Sequence, residues 1–153
     1  MPSRRTFTSA LAGLSVLPSV AAATLFPEKR WQRRLLVVVA SESARDTVER
    51  QRALVASPMF SARDLDLVEA VDRGPVRING DPVASPTVEA VRDHYRVAGD
   101  FGVRVIGKDG GVKLTTTRLV TMQALAELID AMPMRRQEMR ERGNEVDEPR
   151  DPT

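Results

Sequence analysis

The chain of 153 residues has no cysteine and one histidine. The first absence excludes disulfide staples, thiolate zinc sites, cysteine nucleophiles and thiol–disulfide exchange; the second excludes the common multi-histidine metal clusters. A membrane-spanning run is also missing. The longest small and apolar stretch, Ala10 to Ala23, covers about 14 residues and is broken by Gly13 and Pro18, whereas a bilayer needs ~20. What remains is ordinary globular usage, 42% apolar and 29% charged, which fits neither wholesale disorder nor a membrane bundle.

Residues 1–23 read as a cleaved export signal rather than as part of the fold. Arg4 and Arg5 form a basic start, no acid precedes Glu28, and the apolar stretch ends in Ala21-Ala22-Ala23, which meets the small-x-small rule for signal peptidase. Ser3-Arg4-Arg5-Thr6-Phe7 matches the start of a bacterial twin-arginine signal, so both that route and general secretion stay open. Either predicts a periplasmic or secreted protein cleaved near Ala23, without a lipid-bearing cysteine or a transmembrane anchor. Cleavage also neutralises the chain: 23 basic residues against 21 acidic become 21 of each once Arg4 and Arg5 are lost. A neutral domain gives no general electrostatic case for nucleic acid or anionic membranes. It should still bury roughly two-thirds of its unfolded surface, enough for one core without staples.

Residues 24–33 read as a linker bearing Lys29, Arg30, Trp31 and Arg33. Leu35 to Ala40 is a continuous, largely β-branched run, the mark of a strand buried on both faces. Ser41-Glu42-Ser43 offers N-cap chemistry, and Ala44, Val48, Gln51 and Val55 share one helical stripe that Pro58 blocks. Leu65 to Val71 makes a second strand. Residues 73–86, with two glycines and three prolines, read as a loop. Ser85 or Thr87 caps a helix with Val88, Val91 and Tyr95 on one face. Phe101 to Ile106 and Val112 to Thr116 are strands joined at Lys108-Asp109-Gly110-Gly111 by an Asp-Gly hairpin turn. Leu125, Leu128, Ile129 and Met132 mark a helix starting near Thr121, which Pro133 ends or kinks. The predicted domain spans 34–142, followed by a polar tail over 143–153. The order β-α-β-α-β-β-α, with a parallel first pair and an antiparallel hairpin, predicts an α/β three-layer sandwich on a mixed four-stranded sheet. That is the order of the minimal thioredoxin-like fold.

Val105 to Leu114 and Ile129 to Arg136, with Trp31, Arg34, Gln51 and Arg63-Asp64-Leu65 upstream, resemble the hallmarks of domain of unknown function 4174. The resemblance covers about residues 31 to 140. It implies a thioredoxin-like fold, exported bacterial members, and a relation to the terminal domains of secreted equarin and sushi-repeat proteins. It implies no established reaction. Thr115-Thr116-Thr117 departs from the pattern, in which the segment after the hairpin usually begins with arginine.

In a thioredoxin-like chain the redox chemistry sits after the first strand, where this sequence has Ser41-Glu42-Ser43-Ala44. A serine hydroxyl does not replace a thiolate, so disulfide oxidoreductase and thiol peroxidase activities are excluded and helix capping is the expected role. His94 stands alone without a nucleophile turn and reads as a half-exposed surface imidazole. Neither the carboxylates nor the Lys108–Gly111 turn forms a calcium or phosphate loop, and no cofactor or metal is predicted. The topology instead gathers Arg34, Arg63, Asp64, Lys108, Asp109, Arg135 and Arg136 at the pole opposite the usual redox position, with Asp64 or Asp109 expected to bond an arginine. Such a cluster is either a structural lock or a binding surface for an unknown protein or small anionic ligand, with Met132 and Met134 as adaptable contacts. The expected function is a non-catalytic binding module; the alternative is an enzyme using Arg63, Asp64 and Lys108. Gln51, an amide on an apolar stripe, is expected to be buried and to bond a loop backbone.

Overall fold

The computed structural model describes residues 25–147; the expected leader over 1–23 and the end of the expected tail lie outside the described residues. Strand β1 (Arg34–Ala40) is buried along its whole length. Its two sets of alternating side chains enter two different cores, which is why its sequence is continuously apolar. Leu36, Val38 and Ala40 pack with α1 (Arg45–Val55) and α4 (Met122–Asp130), while Leu35, Val37 and Val39 pack with α3 (Val88–His94). Helices therefore cover both faces of the sheet.

The sheet has six strands in the order β4-β3-β2-β1-β5-β6. β2 (Leu65–Val71) runs parallel to β1, and β5 (Phe101–Ile106) runs antiparallel to β1 on its other side. β6 (Val112–Thr116) returns antiparallel to β5 through the hairpin, closed by Gly107 N–H donating to the Gly111 carbonyl at 2.9 Å.

The expected four-stranded sheet is too small. Residues 73–86, read as a loop, contain β3 (Val76–Ile78) and β4 (Asp81–Val83), a short hairpin added beside β2. Asn79 (φ +52°) and Gly80 (φ +91°) both occupy the left-handed region, the geometry a two-residue hairpin turn requires. Pro82 is tolerated because β4 lies at the sheet edge.

α1 and α4 end before Pro58 and Pro133 as expected, and each proline also opens a helix of its own. Pro58 starts the short α2 (Pro58–Ser61), with Ser57 as its cap. Pro133 likewise opens α5 (Pro133–Asp147), which continues through residues expected to lie in the tail. A proline is well suited to a first helical turn because its missing N–H has no intrahelical acceptor there. Thr87 and Thr121 cap α3 and α4 by accepting from the N–H of Ala90 and Ala124, each at 3.2 Å. The linker is not free: Phe26 is buried in the α3-side core. No helix among the described residues is long and apolar enough to cross a membrane.

Gln51 is fully buried on α1 and behaves like a piece of strand. Its Nε2 donates to the Val120 carbonyl and its Oε1 accepts from the Val120 N–H, both at 2.8 Å. The amide thus satisfies both polar groups of a buried loop residue, a geometry an aliphatic side chain does not reproduce.

Candidate functional site

β1 begins, β2 begins and β5 ends at the same pole of the sheet, and α4 ends there as α5 starts. Arg34 at the head of β1 is 1% exposed. A guanidinium at that depth needs a carboxylate and full hydrogen bonding to remain favourable. Glu138 of α5 supplies the carboxylate: Arg34 donates to its two oxygens at 3.1 and 3.3 Å, and also to the Arg63 carbonyl at 3.1 Å. Arg34 Nε has no acceptor among the described residues. Lys108 Nζ lies 2.7 Å from Glu138 and 2.9 Å from Asp64, so a lysine after β5 joins the entry of β2 to α5.

Two further branches extend this lattice. Arg63 donates from Nε to Asp130 at 3.0 Å, and Arg135 spans Asp130 at 3.3 Å and Glu138 at 3.4 Å. On the α3 side, Asp66 takes Arg33 at 2.7 Å, Lys29 at 3.0 Å and the Asn79 amide at 3.0 Å. Asp64 is held in the left-handed region (φ +53°), with its carbonyl accepting from the Arg34 N–H at 2.8 Å. Arg142 approaches Asp64 at 3.8 Å. Together seven cations (Lys29, Arg33, Arg34, Arg63, Lys108, Arg135, Arg142) surround four carboxylates (Asp64, Asp66, Asp130, Glu138).

Of the residues singled out from sequence, Arg34, Arg63, Asp64, Lys108 and Arg135 meet in this lattice. Two do not. Asp109 bonds no arginine among the described residues; it pairs with Lys113 across the hairpin at 2.7 Å and accepts the Gly111 N–H at 3.0 Å. Its backbone turn faces it back onto β6, where Lys113 is nearer than any arginine of the pole. Arg136 is exposed, because the face of α5 turned to the sheet carries Arg135, Glu138 and Arg142 at helical spacing. At the opposite end, Ser41 and Ser43 do not cap α1 with their side chains; their hydroxyls hydrogen-bond each other at 2.8 Å. The sequence reading missed Asp66, Asp130 and Glu138. The spacing of Glu138 three residues after Arg135 carried the signal, but its partner Arg34 lies 104 positions away.

Burial alone would raise the Glu138 pKa, but the bonds from Lys108 and Arg34 outweigh it and hold the carboxyl down to about 2. For Asp130, the Arg63 and Arg135 contacts likewise overcome burial and lower its pKa. Arg33, Asn79 and Lys29 do the same for Asp66. A group depressed on folding contributes stability above its unfolded pKa and loses that contribution as pH falls toward its folded one. Glu138→Gln should therefore cost about 3 kcal/mol at pH 7, because Arg34 stays buried without its anion. The gap from wild type should narrow below pH 4.5 and close near pH 2, the ordinary and folded values for Glu138. Urea unfolding of both proteins from pH 7 to 2 checks this; a gap independent of pH would contradict it.

Two recesses flank the β5–β6 hairpin. One, of about 300 Å³, lies against α5 and is lined by Arg34, Lys108, Lys113, Met132, Pro133 and Met134. The other, of about 400 Å³, lies on the α3 face between the N-terminal turn and Tyr95. No solved structure matches the chain. Residues 25–138 match Domain of unknown function (DUF4174), a stretch running from the N-terminal turn through Glu138. Covering well over half of the sequence and the core of the charged pole, that match places the chain in the DUF4174 family.

Proposed function

We propose that this protein is an exported, thioredoxin-like, non-catalytic module that recognises an anionic partner at its charged pole. The observation that carries the reading is the imbalance of that pole, seven cations on four carboxylates. A lattice built only as a lock would be closer to neutral; excess cations concentrate positive potential where the two recesses open. Arg136 and the exposed Met134 on α5 extend the same surface, and methionine adapts to varied apolar partners.

The inner strands β2-β1-β5-β6, one parallel pair followed by two antiparallel ones, favour the thioredoxin-like description, with β3 and β4 as an added hairpin. The absence of cysteine removes sulfur chemistry from that scaffold. An enzyme built on Arg63, Asp64 and Lys108 is the weaker reading, because each already holds an ion-pair partner. Export rests on residues 1–23, with their paired arginines and Ala21-Ala22-Ala23 end.

Expressed as the full chain in a bacterium with both export routes, the protein should be recovered from the periplasmic fraction with a mass corresponding to a start at Thr24. Full-length protein confined to the cytoplasm would contradict export. A hexaglutamate peptide should shift backbone amide resonances of Lys108, Gly110 and Met134. Arg136→Glu should weaken that binding several-fold, and salt should suppress it. Shifts absent from the pole, or unaffected by salt, would contradict recognition of anions there.

A further inference from the structure

The cations of the recess on the α3 face are only partly neutralised. Its floor is apolar, formed by Phe26, Leu35, Ile106 and the ring of Tyr95. Lys29 and Arg33 enter it from the N-terminal turn, already sharing Asp66. Arg30 and Arg96 also line it, both exposed, and neither has a carboxylate partner among the described residues. Arg30 instead stacks over Trp31, its guanidinium carbon 5.1 Å from the ring centroid. The main chain of Trp31 is anchored by an N–H donated to the Lys108 carbonyl at 2.6 Å.

A further guanidinium stands behind this rim. Arg104 of β5 is 7% exposed and donates only to carbonyls: Tyr95 at 3.1 Å, Val103 at 3.0 Å and Arg96 at 3.1 Å. It caps the C-terminal end of α3. The guanidinium keeps its charge at neutral pH, so a buried cation without an acid counter-ion among the described residues sits directly behind Tyr95 and Arg96.

The backbone at Arg96 adds an independent mark. The residue follows α3 at φ +50°, a position where helices ordinarily place glycine because a side chain there is strained. That conformation holds a long cationic side chain at the mouth of an apolar recess.

We infer that this recess is a binding site for a small organic acid, an anionic group on a flat apolar body. The apolar floor takes the body, and Arg30 and Arg96 take the anion at the rim, where Arg104 reinforces the field. The volume of about 400 Å³ suits a ligand of one or two rings. The inference rests on the reading of the domain as an anion-recognising module and names the ligand class and the residues.

The test is titration of the 15N-labelled full chain with 2-naphthoate, with 2-naphthalenemethanol as the uncharged control and hexaglutamate as the acidic-peptide control. Naphthoate should shift the amides of Leu35, Tyr95, Ile106 and Gly107 and should bind at least about tenfold more tightly than the alcohol. Arg96→Gly separates binding from folding: the glycine relaxes the backbone, so the unfolding midpoint should stay or rise while naphthoate affinity falls about tenfold. Equal affinity of acid and alcohol, shifts elsewhere on the molecule, or undiminished binding by Arg96→Gly would overturn the site. Hexaglutamate shifting the pole while naphthoate shifts nothing would overturn this inference and leave the anion-binding module standing. Silence from both probes would overturn both.

Discussion

A positive charge buried at the head of the central strand governs the architecture of this protein. Arg34 has almost no contact with solvent, and a guanidinium so placed is tolerable only beside an anion. Because no acid of the sheet reaches both of its terminal nitrogens, Glu138 of α5 supplies the counter-charge. The docking of α5 is thus tied to electrostatics at β1 rather than to its own apolar face, which is slight: its first three turns place Arg135, Glu138 and Arg142 toward the sheet. Lys108 then joins Glu138 to Asp64, and Arg135 joins it to Asp130 and thereby to Arg63. One carboxylate lies at the crossing of three segments distant in sequence.

How much of this was legible in the sequence follows from the range of each interaction. β1, β2, β5 and β6 were readable because burial on two faces, or a hairpin turn, leaves a local pattern. The Thr121 cap was readable for the same reason. The β3–β4 hairpin was hidden by its own brevity: two three-residue strands among glycines and prolines resemble a loop. Asn79-Gly80 was nevertheless a direct turn signal. The pole was partly legible through topology, which places strand ends in space before any contact is known. Its pairings were not. Asp109 took the lysine four residues on, and Asp64 took Lys108 at 2.9 Å with Arg33 and Arg142 farther off at 3.7 and 3.8 Å. Choosing between Arg135 and Arg136 required the rotation of α5 about its axis, which only docking fixes. Gln51 stood out because a primary amide interrupted an apolar stripe, and the structure gives it a loop-backbone partner in Val120.

The proposed function rests on what the scaffold lacks as much as on what it holds. Just beyond the C-terminal end of β1, two serine hydroxyls bond each other. At the other end, positive charge exceeds negative and two recesses open beside one hairpin. The proposed lock and the proposed binding surface are compatible. Arg30, Arg96 and Arg136 lie outside the lattice, and Arg104 is buried beside Tyr95 and Arg96 with only carbonyls for partners. A rigid, positively biased frame is what recognition of an anion requires, since donors held in place lose little freedom when the ligand arrives.

The most direct test of the Arg34–Glu138 pair as keystone is a double-mutant cycle with Arg34→Met and Glu138→Gln, followed by urea unfolding at pH 7. If the buried charge requires its anion, each single variant is strongly destabilised. The double variant should then lose much less than the two combined, with a coupling of at least about 1.5 kcal/mol. Additive losses would show that Arg34 and Glu138 act independently and that α5 is held by something else.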